Sequence, residues 1–407
     1  MPKSFAKKAL VTSNTRLTDT DGKSLRVLGL AELLTGAGFK TTLVVSECTS
    51  KKVRKFSTIE TNTRLRNTLF DNILRKTFHF GRELISLSSF YAKLLIQGGN
   101  YDVVLSTLVG PEIDSFLACA FSRIKRTRFI YDYDDPSPEI RMVFYKRGKN
   151  DLRVKLSLFS RNMLVRNASL VLTSADTTKY QIRNEFRNTK RVIVWYNLPR
   201  TDDIYMHENK EHLRSKLGLS TKSFIASYLG NVPNWAVETL KNTLIHCIKS
   251  LTEDDNVLFL IIGGGIWEER YRKWIEKLHL TDRILVTGRQ PRRSALEYLV
   301  ASDVSLFPFE LNSISMYIVP TKLFEAMALG IPVLCPRLPN FLQILGDEGI
   351  YFDDMHDLAE RIRWCMINPE KLDKISSNLK MKYLGDYSWE KRRLSIENSF
   401  REVLTSS

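Results

Sequence analysis

Apolar residues in the first 200 positions form short runs, separated by stretches in which they recur every three or four residues. Short apolar runs predict strands, and the longer spacing predicts helices. The predicted strands are Ala9–Ser13, Thr41–Ser46, Tyr101–Thr107, Arg128–Asp132, Ser169–Ser174 and Arg191–Tyr196. Between the first two, the pattern predicts a polar loop at Asn14–Lys23 and a helix at Leu25–Leu34. This order is typical of a doubly wound parallel sheet.

The same alternation begins again after the polar residues 198–222. It predicts strands at Phe224–Leu229, Val257–Ile262, Ile284–Thr287 and Val304–Phe307, and helices at Glu268–Leu278, Ala295–Leu299 and Trp389–Leu404. We therefore predict an α/β protein with two Rossmann-like, doubly wound domains. Their expected bounds are residues 1–198 and 199–380, and residues 381–407 form a terminal helix.

Composition narrows the class of protein. With 43% hydrophobic and 26% charged residues, the chain has the composition of a globular protein. Its five cysteines are scattered and show no CxxC spacing, which favours a reducing compartment over a disulfide framework or a zinc site. The sequence shows no signal peptide, and its longest apolar stretch, Val257–Trp267, is too short to span a bilayer.

Positive charge is concentrated in the first half. Residues 1–200 hold 35 Lys and Arg against 17 Asp and Glu, whereas residues 201–407 hold 26 against 28. Such asymmetry predicts an anionic partner: a membrane surface, a nucleic acid or an acidic substrate. A solvated basic face is the alternative. Two amphipathic, basic stretches, Leu69–Gln97 and Arg141–Arg166, favour a membrane surface. The residues expected to face the membrane or an acceptor are Arg141, Lys146, Arg147 and Arg153.

The segment Ile318–Cys335 carries the most specific local pattern. Pro320 suits the first position of a helix, and Gly330 followed by Pro332 ends it. Lys322 and Glu325 are three residues apart and so share one helix face. Free N–H groups and the positive helix end make the first turn an anion site. A phosphate-pairing cation and a carboxylate for vicinal hydroxyls therefore lie together, as a nucleoside diphosphate requires.

The segment resembles the donor-site helix of GT-B glycosyltransferases, particularly the retaining family-4-like group. The resemblance implies that two domains face a central cleft and that the last helix packs back on the first domain. It also implies that Glu325 binds the ribose and that basic residues bind the diphosphate of a nucleotide sugar. The donor-binding residues that it implies are Gly230, Asn231, Arg289, Thr321, Lys322 and Glu325. Arg289 is equally well explained as a residue that caps a strand.

One departure from the family pattern affects the expected sugar contact. The family has a first Glu eight residues before the second, and this chain has Tyr317 there. The alternative interpretation of the segment is an ordinary amphipathic helix in which Lys322 and Glu325 form a solvated pair.

Acidic residues crowd the end of the predicted strand Arg128–Asp132. Clustered carboxylates raise one another's pKa, which suits a general base for an incoming hydroxyl. We expect Asp132 to be this base and rank Asp135 second. The alternative is a proline-terminated turn that uses Asp as a turn former.

Together these observations predict a glycosyltransferase that moves a sugar from a nucleotide-diphosphate donor to a hydroxyl acceptor. The expected acceptor is a lipid-linked glycan or a surface polysaccharide precursor at the cytoplasmic face of the membrane. We expect no metal, no other cofactor and no nucleic-acid partner. The alternatives are a non-catalytic GT-B-like protein, a sugar-nucleotide epimerase and, more distantly, a nucleic-acid-binding protein.

Overall fold

The chain divides into two compact units in a computed structural model. The first comprises residues 1–197 and 393–407, and the second comprises residues 198–392. The structure describes residues 7–18, 22–50, 53, 56–60, 87–96, 99–107, 113–134, 136–143, 148–187, 191–200, 204, 208–230, 234–252, 254–265, 268–310 and 314–405.

The first unit is built on a seven-stranded sheet whose neighbouring strands pair in parallel. Its strands are β1 (Lys8–Leu17), β2 (Lys40–Cys48), β3 (Ser57–Glu60), β4 (Val103–Thr107), β5 (Arg128–Tyr133), β6 (Leu170–Thr173) and β7 (Val192–Val194). The order β3-β2-β1-β4-β5-β6-β7 starts at the centre and winds to both edges. All residues of β4 and β6 are buried, as expected for strands covered on both faces.

Helices accompany the strands of this sheet. They are α1 (Gly22–Gly36), α2 (residues 87–96), α3 (Ile113–Ile124), α4 (Ser137–Val143), α5 (Leu152–Asn167) and α6 (Asp176–Glu185). The core packs Phe121, Leu164 and Ile182 from three of these helices against strand residues such as Val104 and Tyr131.

The second unit repeats the doubly wound plan in a six-stranded parallel sheet of order β10-β9-β8-β11-β12-β13. Its strands are β8 (Phe224–Leu229), β9 (Val257–Ile262), β10 (Ile284–Gly288), β11 (Val304–Leu306), β12 (Val333–Pro336) and β13 (Ile350–Phe352). The helices are α7 (Lys210–Lys216), α8 (Asn234–Ser250), α9 (Glu268–Lys277), α10 (Arg292–Val300), α11 (Thr321–Leu329), α12 (Pro339–Leu345), α13 (Met355–Ile367), α14 (Pro369–Lys382) and α15 (Trp389–Thr405). Residues 393–405 of α15 cluster with the first unit.

The predicted α/β class with two parallel sheets is confirmed, and three local predictions need correction. Strand β1 continues through part of the predicted loop Asn14–Lys23, because Arg16 and Leu17 pair with β2 beyond a bulge. The edge strand β3 was not predicted. The predicted connection 198–222 contains helix α7. Most of the predicted helix Leu69–Gln97 lies outside the described residues, and its end is helical as α2.

None of the described helices has the length and apolar character needed to cross a membrane.

Helix α11 ends at Gly330, whose backbone is in the left-handed α conformation that strains most residues with a side chain. Gly330 has φ +70° and ψ 31°, and an added Cβ would lie 2.9 Å from Ser376 Oγ. We expect Gly330→Ala to lower the free energy of unfolding by about 1–2 kcal/mol, because an L-residue is strained in this conformation. Urea denaturation would measure the loss.

Gly385→Ala is the matched control. This glycine lies in the same unit, its φ is outside the left-handed range, and an added Cβ would meet no atom within 4 Å. The prediction is wrong if Gly330→Ala is no less stable than Gly385→Ala.

Candidate functional site

Helix α11 begins at the carboxyl end of the second sheet, where open parallel sheets place their ligands. It connects β11 to β12. Pro320 is the N-cap residue, with φ −74° and ψ 140°, and Thr321 is the first helical residue. The sequence predicted that Pro320 is the first residue of the helix. The φ of Pro320 is helical, but its ψ is extended, so Pro320 lies one residue before the helix. Pro320 provides no side-chain cap, and the Leu323 N–H donates to Pro320 O at 3.0 Å. Among the described residues, the first-turn N–H groups left for an anion are therefore those of Thr321 and Lys322.

The Lys322 side chain reaches from the first turn of α11 to the turn after β8. Its Nζ lies 5.1 Å from the centroid of the Tyr228 ring, a cation–π distance. It also fills the space beside Gly230, where an added Cβ would overlap Nζ. Gly230 has φ +143°, which only glycine adopts readily. The predicted proximity of Gly230 and Lys322 is therefore a direct contact.

A second glycine turn supports the first. Gly263, with φ +137°, follows β9, and an added Cβ would overlap the carbonyl oxygen of Gly230. The Gly230 N–H donates to Ile262 O at 2.9 Å. Backbone atoms without side chains therefore form the surface beside the Lys322 ammonium, which permits a phosphate group to approach closely.

The Glu325 carboxylate pairs with an arginine that the sequence analysis did not identify. Arg292, the first residue of α10, lies with Nη1 2.7 Å from Glu325 Oε1, and the Glu325 side chain is 7% exposed. Within the described part of the chain, Lys322 forms no ion pair. The alternative of a solvated Lys322–Glu325 pair is therefore wrong. The Arg-Arg doublet after Pro291 was the available signal in the sequence.

A buried tyrosine lies near Glu325. Burial raises the pKa of the Tyr383 phenol, and the Glu390 and Glu325 carboxylates raise it further. The phenol is therefore neutral, and its hydroxyl donates to Pro199 O at 2.9 Å.

The other predicted donor residues occupy different environments. Thr321 is the first residue of α11 and is half-buried. Arg289 follows the Gly288 turn, is exposed, and forms no hydrogen bond or ion pair among the described residues. Tyr317 ends a short 3-10 turn before α11. Asn231 lies outside the described residues.

The predicted base Asp132 is held in a buried ion pair. Arg26 Nε donates to Asp132 Oδ2 at 2.8 Å and Nη2 to Oδ1 at 2.5 Å. Both side chains are fully buried. Arg26 Nη1 also donates to the Trp195 carbonyl and to Asn197. Because both carboxylate oxygens of Asp132 bind the guanidinium, the geometry favours an anchoring role over the predicted proton transfer.

The neighbouring acids are also paired. Asp134 Oδ1 lies 3.4 Å from Arg26 Nε, and its side chain is 9% exposed. Glu139 accepts from Gln181 at 3.0 Å and lies 3.6 Å from Arg161. Asp135 lies outside the described residues. The predicted turn is therefore a network of compensated charges wherever the structure describes it.

Helix α5 carries an apolar stripe on its exposed face. Leu152, Leu156 and Phe159 are 69%, 55% and 64% exposed. Arg153 and Lys155 are exposed on the same helix. Of the other residues predicted to face a membrane, the side chain of Arg141 and all of Lys146 and Arg147 lie outside the described residues.

The chain is similar to known proteins in sequence and in fold. Residues 209–382 match the model of the family Glycosyl transferases group 1. WcaL of Salmonella typhimurium, named as a colanic acid biosynthesis glycosyltransferase, is 30% identical over 137 residues, 32% of this chain and 34% of the relative. Sucrose-phosphate synthase of Thermosynechococcus elongatus has a TM-score of 0.71 at 15% identity, covering 98% of this chain and 100% of that chain. HepE of Anabaena, solved with UDP and glucose, has a TM-score of 0.69 at 15% identity, with coverage of 98% and 100%.

The two structural matches extend over nearly the whole chain, so this protein has the GT-B fold. The resemblance to GT-B glycosyltransferases is thereby confirmed, and the family match contains the whole of α11. The sequence alignment spans about a third of the length of the curated relative.

The buried Arg26–Asp132 pair should be a major source of stability in the first unit. We expect Arg26→Leu to cost about 3–5 kcal/mol of unfolding free energy, because it removes the guanidinium that binds both oxygens of the buried Asp132 carboxylate. The double variant Arg26→Leu with Asp132→Leu should recover much of the loss. Urea denaturation would measure both.

Arg183→Leu removes an exposed arginine of the same unit and should change the free energy of unfolding by less than about 0.5 kcal/mol. A loss of similar size in Arg183→Leu and Arg26→Leu would contradict the anchoring role of the pair.

Proposed function

We propose that this protein is a glycosyltransferase that uses a nucleotide-diphosphate sugar as donor. The observation that carries the proposal is the Lys322 ammonium, which lies against Gly230 beside the uncapped start of α11, with Glu325 on the same turn. A cation, free N–H groups and exposed backbone suit a diphosphate, and a carboxylate suits the vicinal hydroxyls of ribose. The family match over residues 209–382 and the likeness to HepE, whose structure contains UDP and glucose, support this assignment.

The chemical role of this arrangement follows from where charge develops. The bond between the sugar carbon and the diphosphate oxygen breaks, and a bond from that carbon to an acceptor oxygen forms. Negative charge accumulates on the departing diphosphate. Lys322 and the helix N-terminus stabilise that charge, which lowers the barrier. We propose retention of anomeric configuration from the resemblance of α11 to the retaining group, and a hexose as the sugar transferred.

For the acceptor we propose a lipid-linked glycan or a surface polysaccharide precursor. The name of WcaL, a glycosyltransferase of colanic acid biosynthesis, and the charge of residues 1–200 support this class. Asp135 is the proposed acceptor-side base, since Asp132 is bound on both oxygens by Arg26. No metal or further cofactor is part of the proposal.

We also propose that the first unit binds the cytoplasmic face of an anionic membrane. Leu152, Leu156 and Phe159 follow one another by four and three residues and so form one stripe. Arg153 and Lys155 flank this stripe and are exposed. Apolar side chains bordered by cations suit the interface of a bilayer that contains anionic lipid.

Donor binding can be tested with a panel of nucleoside diphosphates and their sugars. We expect Lys322→Met to weaken binding of the nucleoside diphosphate about 10- to 100-fold, because charge-assisted hydrogen bonds to the diphosphate are lost. Calorimetry would give the dissociation constants, and release of nucleoside diphosphate in the presence of acceptor would report transfer.

Lys374→Met is the matched control, since Lys374 is an exposed lysine of the same unit. It should bind nucleotide as the wild type does. Failure of the wild-type protein to bind any nucleoside diphosphate would sink the proposed function, whereas binding without sugar transfer would favour a non-catalytic protein.

Membrane contact can be tested by vesicle flotation. We expect Leu152→Ser, Leu156→Ser and Phe159→Ser, combined in one variant, to weaken binding to vesicles with 30% anionic lipid at least about tenfold, because three apolar side chains no longer enter the interface. Arg153→Gln with Lys155→Gln should weaken binding several-fold and reduce its salt dependence.

The control variant carries Ile367→Ser and Met381→Ser, two exposed apolar residues of the second unit that are 78% and 72% exposed. It should float as the wild type does. Equal losses in the α5 and control variants, or no binding of the native protein to anionic vesicles, would contradict membrane contact through α5.

A further inference from the structure

Arg292 has more hydrogen-bonding capacity than the described residues use. Its Nη1 binds Glu325 Oε1 at 2.7 Å. Its Nε and Nη2 atoms are shielded from solvent and have no hydrogen-bond partner among the described residues. Shielded guanidinium donors without partners are costly, so they mark a place where acceptor atoms are expected.

Arg292 also changes the net charge near the first turn of α11, because it pairs with Glu325. Glu325 lies three residues after Lys322 on α11, beside the proposed diphosphate position. An uncompensated carboxylate there would repel the diphosphate. Arg292 is the only cation paired with Glu325 in the described part of the chain, because Lys322 lies over Tyr228 instead.

We propose that Arg292 is a positioning residue of the donor site, which orients Glu325 toward the ribose hydroxyls and offsets its charge. One oxygen of Glu325 binds Nη1, and the carboxylate keeps lone pairs for the two vicinal hydroxyls. Because Nε and Nη2 are shielded from solvent, the assignment rests on the contact between Nη1 and Glu325. This inference rests on the proposed function and deepens it, because it assigns ribose selectivity to a pair of residues from α10 and α11.

Ribose selectivity is the readout that separates positioning from a merely structural role. UDP, GDP and ADP serve as probes, and the one that the wild type binds is compared with its 2′-deoxy analogue by calorimetry. We expect the wild type to bind the ribonucleotide about tenfold or more tightly than the deoxy form, as a hydrogen bond to a carboxylate predicts. Arg292→Gln should reduce this ratio to near one, and Arg292→Lys should restore part of it.

Two further variants complete the design. Arg293→Gln is the matched control, because Arg293 is the next residue of α10, is 77% exposed and pairs with Glu208 and Glu297 rather than Glu325. It should keep the wild-type ratio. In Glu325→Gln, the ratio of ribonucleotide to deoxyribonucleotide affinity should fall to near one. Adding Arg292→Gln to this variant should not lower the ratio further, because the two residues act through one contact.

The outcomes distinguish the inference from the function on which it rests. An unchanged ribose-to-deoxyribose ratio in Arg292→Gln would overturn the positioning role, even if the variant binds more weakly or melts at a lower temperature. Failure of the wild type to bind UDP, GDP and ADP would overturn the proposed function and this inference together.

Discussion

The arrangement of the turn after β8 and the start of α11 centres on the contact between the Lys322 ammonium and the backbone of Gly230. The φ of +143° at position 230 favours glycine, and Nζ occupies the space where a Cβ would lie. The Gly230 carbonyl in turn fills the space beside Gly263. This contact places the end of the Lys322 side chain in the turn after β8. It leaves a positive charge without a carboxylate partner among the described residues, next to uncapped N–H groups.

Two groups of charged side chains, one at the end of β5 and one at the start of α11, differ in how far their charges are paired. In the first unit, Arg26 binds both oxygens of Asp132 and lies 3.4 Å from Asp134, so it stabilises the end of β5. In the second unit, Lys322 has no anionic partner among the described residues. Arg292 binds Glu325 through Nη1, and its Nε and Nη2 have no partner in the same part of the chain. Uncompensated donors gathered at the carboxyl end of a parallel sheet are what an anionic ligand requires.

The local pattern of apolar and polar residues predicted much of the fold. Strands β8 and β9 have the predicted bounds, because each is a buried apolar run between polar residues. The extension of β1 and the edge strand β3 were missed, since their residues become strands only by pairing with β2. The helical period of Trp389–Leu404 did not distinguish Leu394, which is 61% exposed, from Phe400, which is fully buried.

By itself, the sequence determined the helix that carries the site, because proline and glycine restrict the backbone wherever they occur. It also placed Lys322 and Glu325 on one turn, since helical spacing is a local property. Only the tertiary structure decided which partner each charge has. Arg26 and Asp132 are 106 residues apart, and their pairing follows from the strand order of the first sheet. Arg292 and Glu325 lie on two different helices, α10 and α11, which the fold of the second unit brings together. Spacing along the chain therefore did not reveal this pair.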